Sequence, residues 1–401
     1  MTYEINPSVA NGEVKAPPSK SMAHRNLICG AFSEKSIIRG VDLSKDIEAT
    51  LSCLRSLGAY AEYNMGTVEI GGLSAEKKPE GAKLWANESG STLRFMIPIC
   101  LLSDKEITVS GADRLFERPL EIYEDICREK GLTFIKNGSS VTVKGPLKSG
   151  EFTVPGDVSS QFISGLLFAL PNVCGDSIIH ITGKLESASY IDLTVSALES
   201  FGVKIERPDE KTFVVKGSSS FNSMDTEVEG DYSNAAFFEA LNFLGGSVQV
   251  TGLKENSKQG DRVYTELFKR IEAKDFPIDI SDCPDLAPIL FTVAAAKGEG
   301  YFTGTRRLKI KESDRAEVMK TELEKFGAEV TVDENEVKIT CKELKKPDAV
   351  LSSHNDHRIV MSMAVLSSLT GGIIEGAEAV SKSFPSFFEK LSSLGVKVEQ
   401  K

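Results

Sequence analysis

The chain has 401 residues, 41% hydrophobic and 26% charged, which is enough apolar material for ordinary globular cores and leaves no long polar tract. That length exceeds what one hydrophobic core usually sustains, so two domains are expected. A net charge of −11 excludes a broad nucleic-acid surface, because phosphate-backbone binding leaves a basic footprint, and it confines any cationic site to a local cluster.

The first residues, MTYEINPSVA, have neither the basic start nor the apolar stretch of a signal peptide. The richest apolar runs, such as FISGLLFALP, are too short to span a bilayer, so a cytoplasmic protein without a membrane partner is expected. Cys29, Cys53, Cys100, Cys127, Cys174, Cys283 and Cys341 are widely spaced with no CxxC pair, and read as reduced, buried thiols.

From there the predicted elements recur. A small polar residue opens an apolar helix, a strand follows, then a charged loop, a second helix ending in Gly, and two strand-like runs. The openings fall at Ser19, Ser89, Ser159, Ser233, Asp285 and Asp356, mostly about 70 residues apart, giving roughly six βαβαββ units. The second helices end as LRSLGA (54–59), CREKGL (127–132), LESFGV (198–203), LEKFGA (323–328) and LSSLGV (391–396). Gly suits the left-handed residue that closes a helix there. The fourth unit is short and lacks this Gly. Such units are longer than the ~20 to 50 residues of common solenoid repeats, and two domains of three units are the economical arrangement.

Each opening places free backbone N–H groups and the positive end of a helix dipole behind small polar residues, a composition suited to anions. In PPSKSMAHR, Ser19 and Ser21 can cap or donate while Lys20 and Arg25 add charge. In NESGSTLR, Gly90 lets a ligand approach the backbone, with Arg94 one turn on. GDVSSQF offers Ser159, Ser160 and Gln161 as neutral donors. Further along come Arg118 in FERPL, then Lys311, Glu312, Asp314 and Arg315 in KESDR, Arg358 in NDHR and Lys382 in SKSFP. Taken singly, each opening also reads as a plain capped helix, and KESDR as a solvated face whose charges pair with each other. There is no GxxxxGK[ST], GxGxxG or HExxH, which disfavours nucleotide and zinc dependence. His354 and His357 could share a helix face as metal ligands, but no acidic or thiol partner has a suggestive spacing.

Together PPSKSMAHR, ESGSTLR, RLFERPL, VSSQF, SYIDLT, CPDLAP, KIKESDR, NDHR and SKSFP, in this order and spacing, resemble the 5-enolpyruvylshikimate-3-phosphate synthase family over nearly the full chain. The resemblance implies an α/β fold, a two-domain inside-out α/β barrel with three βαβαββ repeats per domain. It places residues 1–13 and 229–401 in one domain and 14–228 in an inserted second domain, with the active site in the interdomain cleft and closure on substrate binding. It also implies a monomer that uses neither metal nor cofactor.

The implied reaction transfers the enolpyruvyl group of phosphoenolpyruvate to the 5-hydroxyl of shikimate 3-phosphate through a tetrahedral intermediate, releasing phosphate. This step lies in the shikimate pathway to aromatic amino acids and is the target of glyphosate. By the resemblance, Lys20, Gly90, Arg118, Arg315, Arg358 and Lys382 surround phosphoenolpyruvate. Lys20, Ser21, Arg25, Ser159, Ser160, Gln161, Ser187, Tyr190, Asp285 and Lys311 hold shikimate 3-phosphate. Asp285 is the implied base for the 5-hydroxyl, Glu312 the proton partner of the methylene carbon, and Lys311 and Lys20 complete the catalytic set.

Two positions depart from the family pattern. Glu88 replaces an Asn and is expected to point away from the anion site or pair with a cation, and Arg307 replaces an Asn and could reach the shikimate phosphate. The nearest rival, UDP-N-acetylglucosamine enolpyruvyl transferase, carries a Cys in the loop before the Arg-Pro step, whereas GADRLFERPL has none. A non-catalytic member of the fold is opposed by the presence of Lys20, Asp285, Glu312 and Arg358. A related cyclase acting on RNA ends is opposed by the acidic charge.

Overall fold

The computed structural model describes residues 1–74 and 81–401. They form two compact units, Pro18–Glu229, and Met1–Pro17 with Gly230–Lys401. Each has its own hydrophobic core.

Both units follow one local plan. In the Pro18–Glu229 unit, strand Lys83–Trp85 leads into helix Gly90–Cys100 and the parallel strand Ile107–Ser110. Helix Glu121–Lys130 and the antiparallel hairpin Thr133–Asn137/Ser140–Lys144 then finish the sheet. Strands Glu151–Pro155, Ser177–Thr182, Ile205–Asp209 and Thr212–Val215 repeat the pattern with the same spatial order. The remaining sheet borrows its first strand, Asp225–Glu227, from the far end of the unit, which pairs parallel with Ser36–Arg39.

The other unit borrows in the opposite sense. Strand Thr2–Asn6 lies between Gly372–Glu375 and Lys397–Gln400, antiparallel to both, in the sheet that Leu351–Ser352 begins. The fourth repeat is short, as expected: its sheet is only Asn11–Lys15 beside Ser247–Thr251. Helix Tyr264–Glu272 runs almost directly into Ile278–Asp279, the first strand of the fifth repeat, leaving no chain for a hairpin.

In each unit the three opening helices supply much of the core. Ala287–Lys297 is buried from Ala287 through Ala295, and His357–Thr370 from His357 through Ser368. Helices apolar on every side must be enclosed, and here the sheets enclose them. The outer strands alternate buried and half-exposed residues, as in Ile107–Ser110 and Glu299–Thr303, so each sheet turns one face to the helices. The Gly residues closing the second helices, Gly58, Gly131, Gly202, Gly327 and Gly395, all have φ between +67° and +99°.

Three local expectations change. The fourth opening is capped by Asp231, whose side chain accepts from the Asn234 N–H, and Ser233 lies inside the helix. The fifth begins with a 3-10 turn, Pro284–Leu286, so Asp285 caps nothing. Six cysteines are buried as expected, but Cys174 is exposed. Among the described residues no helix is long and apolar enough to cross a membrane.

Candidate active site

Asp285 sits in the 3-10 turn ahead of its helix, whose N-cap position is Leu286. In the discontinuous unit it becomes the hub of a cationic cluster. Oδ1 accepts from Lys311 Nζ at 3.1 Å and Arg315 Nη1 at 2.9 Å, and Oδ2 accepts from Arg358 Nη2 at 3.1 Å. Burial pushes the Asp285 carboxyl up, but the charges of Arg358, Lys311 and Arg315 together outweigh it and hold the group well below the usual carboxylate range. Lys311 is also lowered, but for the opposite reason: burial pushes its ammonium down by more than Asp285 holds it up.

Arg315, only 1% exposed, links the acidic groups. Its Nη2 donates to Glu312 Oε2 at 2.7 Å and its Nε to Asp356 Oδ2 at 2.9 Å, while Nη1 holds Asp285. The two carboxylates expected to move protons therefore share one guanidinium. The self-pairing alternative for KESDR is half right, since Glu312 and Arg315 do pair. Asp314 caps the helix Arg315–Lys325, and Lys311 and Arg315 both turn to Asp285.

Asp356 is fully buried. It caps the helix His357–Thr370 by accepting from the Arg358 N–H, and also accepts from Ser313 Oγ at 3.1 Å. Arg358 reaches Ser233 Oγ and the Asp285 carbonyl. Lys382 Nζ donates to the Asn355 carbonyl, one residue before Asp356. Arg307 is buried, with Nη2 on the Ser281 carbonyl. His354 and His357 share no helix face, because His354 precedes the helix and its Nε2 is bonded to Glu322. Among the described residues no His, Cys, Asp and Glu group could hold a metal ion.

In the Pro18–Glu229 unit the caps fall where the sequence puts them, at Ser19, Ser89 and Ser159. Lys20 Nζ meets Asp46 Oδ2 at 2.6 Å. Arg25 is buried and braced from three directions: Nε donates to Thr194 Oγ1 at 2.9 Å, and its other nitrogens to the Ser21 and Tyr190 carbonyls at 2.7 and 2.8 Å. Burial lowers the Arg25 guanidinium to about 10, still cationic at neutral pH.

The second and third openings meet through Gln161, whose Oε1 accepts from Arg94 Nη1 at 2.7 Å while Nε2 donates to Ser91 Oγ at 3.0 Å. Arg118, also buried, lies so close to Gly90 that a Cβ there would stand 2.8 Å from Arg118 Nη1. Ser160 is buried at the start of its helix and Tyr190 is half-buried. Ser187 holds a left-handed φ of +57° at the start of helix Ala188–Ser200, where its side chain makes no capping bond. Glu88 is half-buried.

The residues that hold this set in place do not stand out in the sequence. Asp46 belongs to no motif, Thr194 and Ser313 sit inside SYIDLT and KIKESDR without a role of their own in the sequence, and Asp356 reads there only as a helix start. Their signal is partnership across the fold, which spacing along the chain does not display.

The fold is that of the enolpyruvyl transferases. The chain is similar to the enolpyruvyl transferase NikO from Streptomyces tendae, with a TM-score of 0.75 and 15% identity over 100% of this chain and 98% of that one. It is also similar to an EPSP synthase from Acinetobacter baumannii, with a TM-score of 0.80 and 24% identity over 100% of both chains. A model of EPSP synthase (3-phosphoshikimate 1-carboxyvinyltransferase) matches residues 6–391. A 3-phosphoshikimate 1-carboxyvinyltransferase from Clostridium kluyveri is 42% identical over 425 residues, covering 100% of this chain and 99% of the relative. One from Clostridium acetobutylicum is 41% identical, covering 99% and 98%. The chain belongs to the EPSP synthase family.

Proposed function

We propose that the chain transfers the enolpyruvyl group of phosphoenolpyruvate to the 5-hydroxyl of shikimate 3-phosphate and releases phosphate. Full-length membership of the EPSP synthase family carries this reading. It also sets aside the UDP-N-acetylglucosamine alternative. We assign the chain to the cytoplasm as a monomer.

The substrates bring two phosphates and two carboxylates into one site, where mutual repulsion is severe unless fixed cations offset it. In this reading Arg315, Arg358 and Lys382 of one unit and Lys20, Arg118 and the backbone at Gly90 of the other act on phosphoenolpyruvate. Ser21, Arg25, Ser159, Ser160, Gln161, Ser187 and Tyr190 act on shikimate 3-phosphate, and Arg307 is available to its phosphate. Neither unit carries the whole set.

Asp285 takes the 5-hydroxyl proton as that oxygen bonds to the central carbon of phosphoenolpyruvate, and Glu312 supplies a proton to the methylene carbon. The methyl group of the resulting tetrahedral intermediate then loses a proton, and the C–O bond to phosphate breaks. Surrounded by cations, Asp285 is a weak base at rest. Substrate anions that pair with Arg315, Arg358 and Lys311 relieve that grip, so its basicity rises when substrates are bound. The shared Arg315 bridge between Asp285 and Glu312 supports this pairing of roles.

Incubation with phosphoenolpyruvate and shikimate 3-phosphate, followed by measurement of phosphate, tests the reading. Release that requires both substrates is expected. No release from folded protein would overturn it.

A further inference from the structure

Away from the charged cluster, the discontinuous unit also buries the carboxylate of Glu322. Glu322 lies on helix Arg315–Lys325, which begins at the Arg315 hub, and its side chain has no exposure. Its long-range hydrogen bonds go to one short stretch some 30 residues along the sequence. Oε2 accepts from the Ser352 N–H at 3.1 Å, and Oε1 is 2.8 Å from His354 Nε2. As a carboxylate Glu322 can only accept, so His354 Nε2 carries the hydrogen. Lys325 Nζ closes the ring by donating to both Glu322 oxygens, at 2.9 and 2.8 Å, and to the Val350 carbonyl at 3.0 Å.

The stretch gripped in this way is conformationally unusual. His354 and Asn355 have φ of +45° and +56°, two successive non-glycine residues in the left-handed region, where Cβ crowds the backbone. Such a pair persists only where its surroundings impose it. Here the Glu322–His354 bond fixes the first residue, and Ser353 Oγ accepts from the Asn355 N–H at 3.1 Å to fix the second. The left-handed pair turns the Asn355 carbonyl to Lys382 Nζ and delivers Asp356 to the cap of the helix bearing Arg358.

We propose that Glu322 is a positioning residue: through His354 it holds the 353–356 loop so that the Asn355 carbonyl fixes the Lys382 ammonium and Asp356 sets the start of the Arg358 helix. A buried ion pair is a poor source of stability beside an apolar pair of equal volume, so the specific effect of Glu322 falls on loop geometry. The inference rests on the reading that Lys382 and Arg358 act on phosphoenolpyruvate. It adds that their placement is controlled from a carboxylate on the neighbouring helix.

The test compares the parent enzyme with Glu322→Ala, Glu322→Gln, His354→Ala and the Glu322→Ala/His354→Ala double variant by steady-state phosphate release, varying each substrate in turn. His354→Ala removes the link at a part-exposed side chain, so it reports even if the buried Glu322→Ala substitution prevents folding. We expect His354→Ala and Glu322→Ala each to raise KM for phosphoenolpyruvate about tenfold, with KM for shikimate 3-phosphate within about twofold of the parent. The double variant should be no worse than the poorer single one, and Glu322→Gln, which keeps the shape and an acceptor for Ser352, should recover most of the loss. A phosphoenolpyruvate KM within about twofold of the parent in His354→Ala would overturn the inference, as would a parallel rise in both KM values. Failure of the parent itself to release phosphate would instead sink the underlying functional reading.

Discussion

Arg358 grips Asp285 twice, with Nη2 on the side-chain oxygen Oδ2 at 3.1 Å and Nη1 on the main-chain carbonyl at 3.0 Å. The two contacts fix both the position and the rotation of the carboxylate, leaving Oδ1 to Lys311 and Arg315. In the proposed reaction a carboxylate held this firmly is pre-oriented for proton transfer, and its removal should be felt in turnover. Asp285→Ala is expected to lower kcat by about a thousandfold or more while phosphate-site binding, measured by calorimetry with inorganic phosphate, stays largely intact. Near-normal turnover would remove Asp285 as the base.

Arg315 and Asp356 are a different kind of pair, 1% and 0% exposed and 2.9 Å apart. Burial pushes the Asp356 carboxyl up, but Arg315 overcomes this and holds it below the ordinary range. Deleting the anion leaves the guanidinium buried with fewer partners and uncaps the helix of Arg358. Asp356→Ala is expected to destabilise the protein by about 3–5 kcal/mol, read from urea denaturation. A cost under about 1 kcal/mol would show that Glu312 and Asp285 satisfy Arg315 on their own.

At Gly90 the expectation is steric. A Cβ placed 2.8 Å from Arg118 Nη1 must push that guanidinium aside, while the backbone N–H groups of the helix start remain in place. Gly90→Ala should therefore raise KM for phosphoenolpyruvate and weaken inhibition by glyphosate, the bulkier analogue, more strongly still. Arg118→Ala should chiefly raise KM for phosphoenolpyruvate. An unchanged phosphoenolpyruvate KM in Arg118→Ala contradicts that assignment.

What was legible in the sequence was whatever is local. Gly after five of the second helices, Ser at three openings and the spacing of the units all report φ/ψ demands or helix periodicity within a few residues, and they are found in the structure. The cap at Asp231 was misplaced to Ser233 because both residue types cap well, and only the fold reveals that Ser233 is turned to Arg358. The donated strands Thr2–Asn6 and Asp225–Glu227 were invisible for a different reason, since each completes a sheet whose other strands lie far away in sequence. The same holds for Asp46 on Lys20 and Thr194 on Arg25, pairs separated by 26 and 169 residues.

The protonation of Asp261 should tie stability to pH. The residue is 5% exposed in the turn Gly260–Val263, facing Asp285 and Asp231, with Arg358 and the Ser233 hydroxyl as its favourable neighbours. Burial, then repulsion from Asp285, pushes its carboxyl up to about 7. An unfolded Asp titrates near ~3.9, so between that pH and about 7 the folded state binds a proton that the unfolded state has released. Stability from this group is present at the acid end of the window and declines as pH rises toward 7. Asp285, whose carboxyl is held low, has the opposite dependence, but its contribution is lost only under stronger acid. Thermal melts of the parent and Asp261→Asn from pH 4.5 to 8 should converge at the acid end, with the variant gaining relative stability toward pH 8. Parallel melting curves across that range would mean that Asp261 stays ionised in the folded protein.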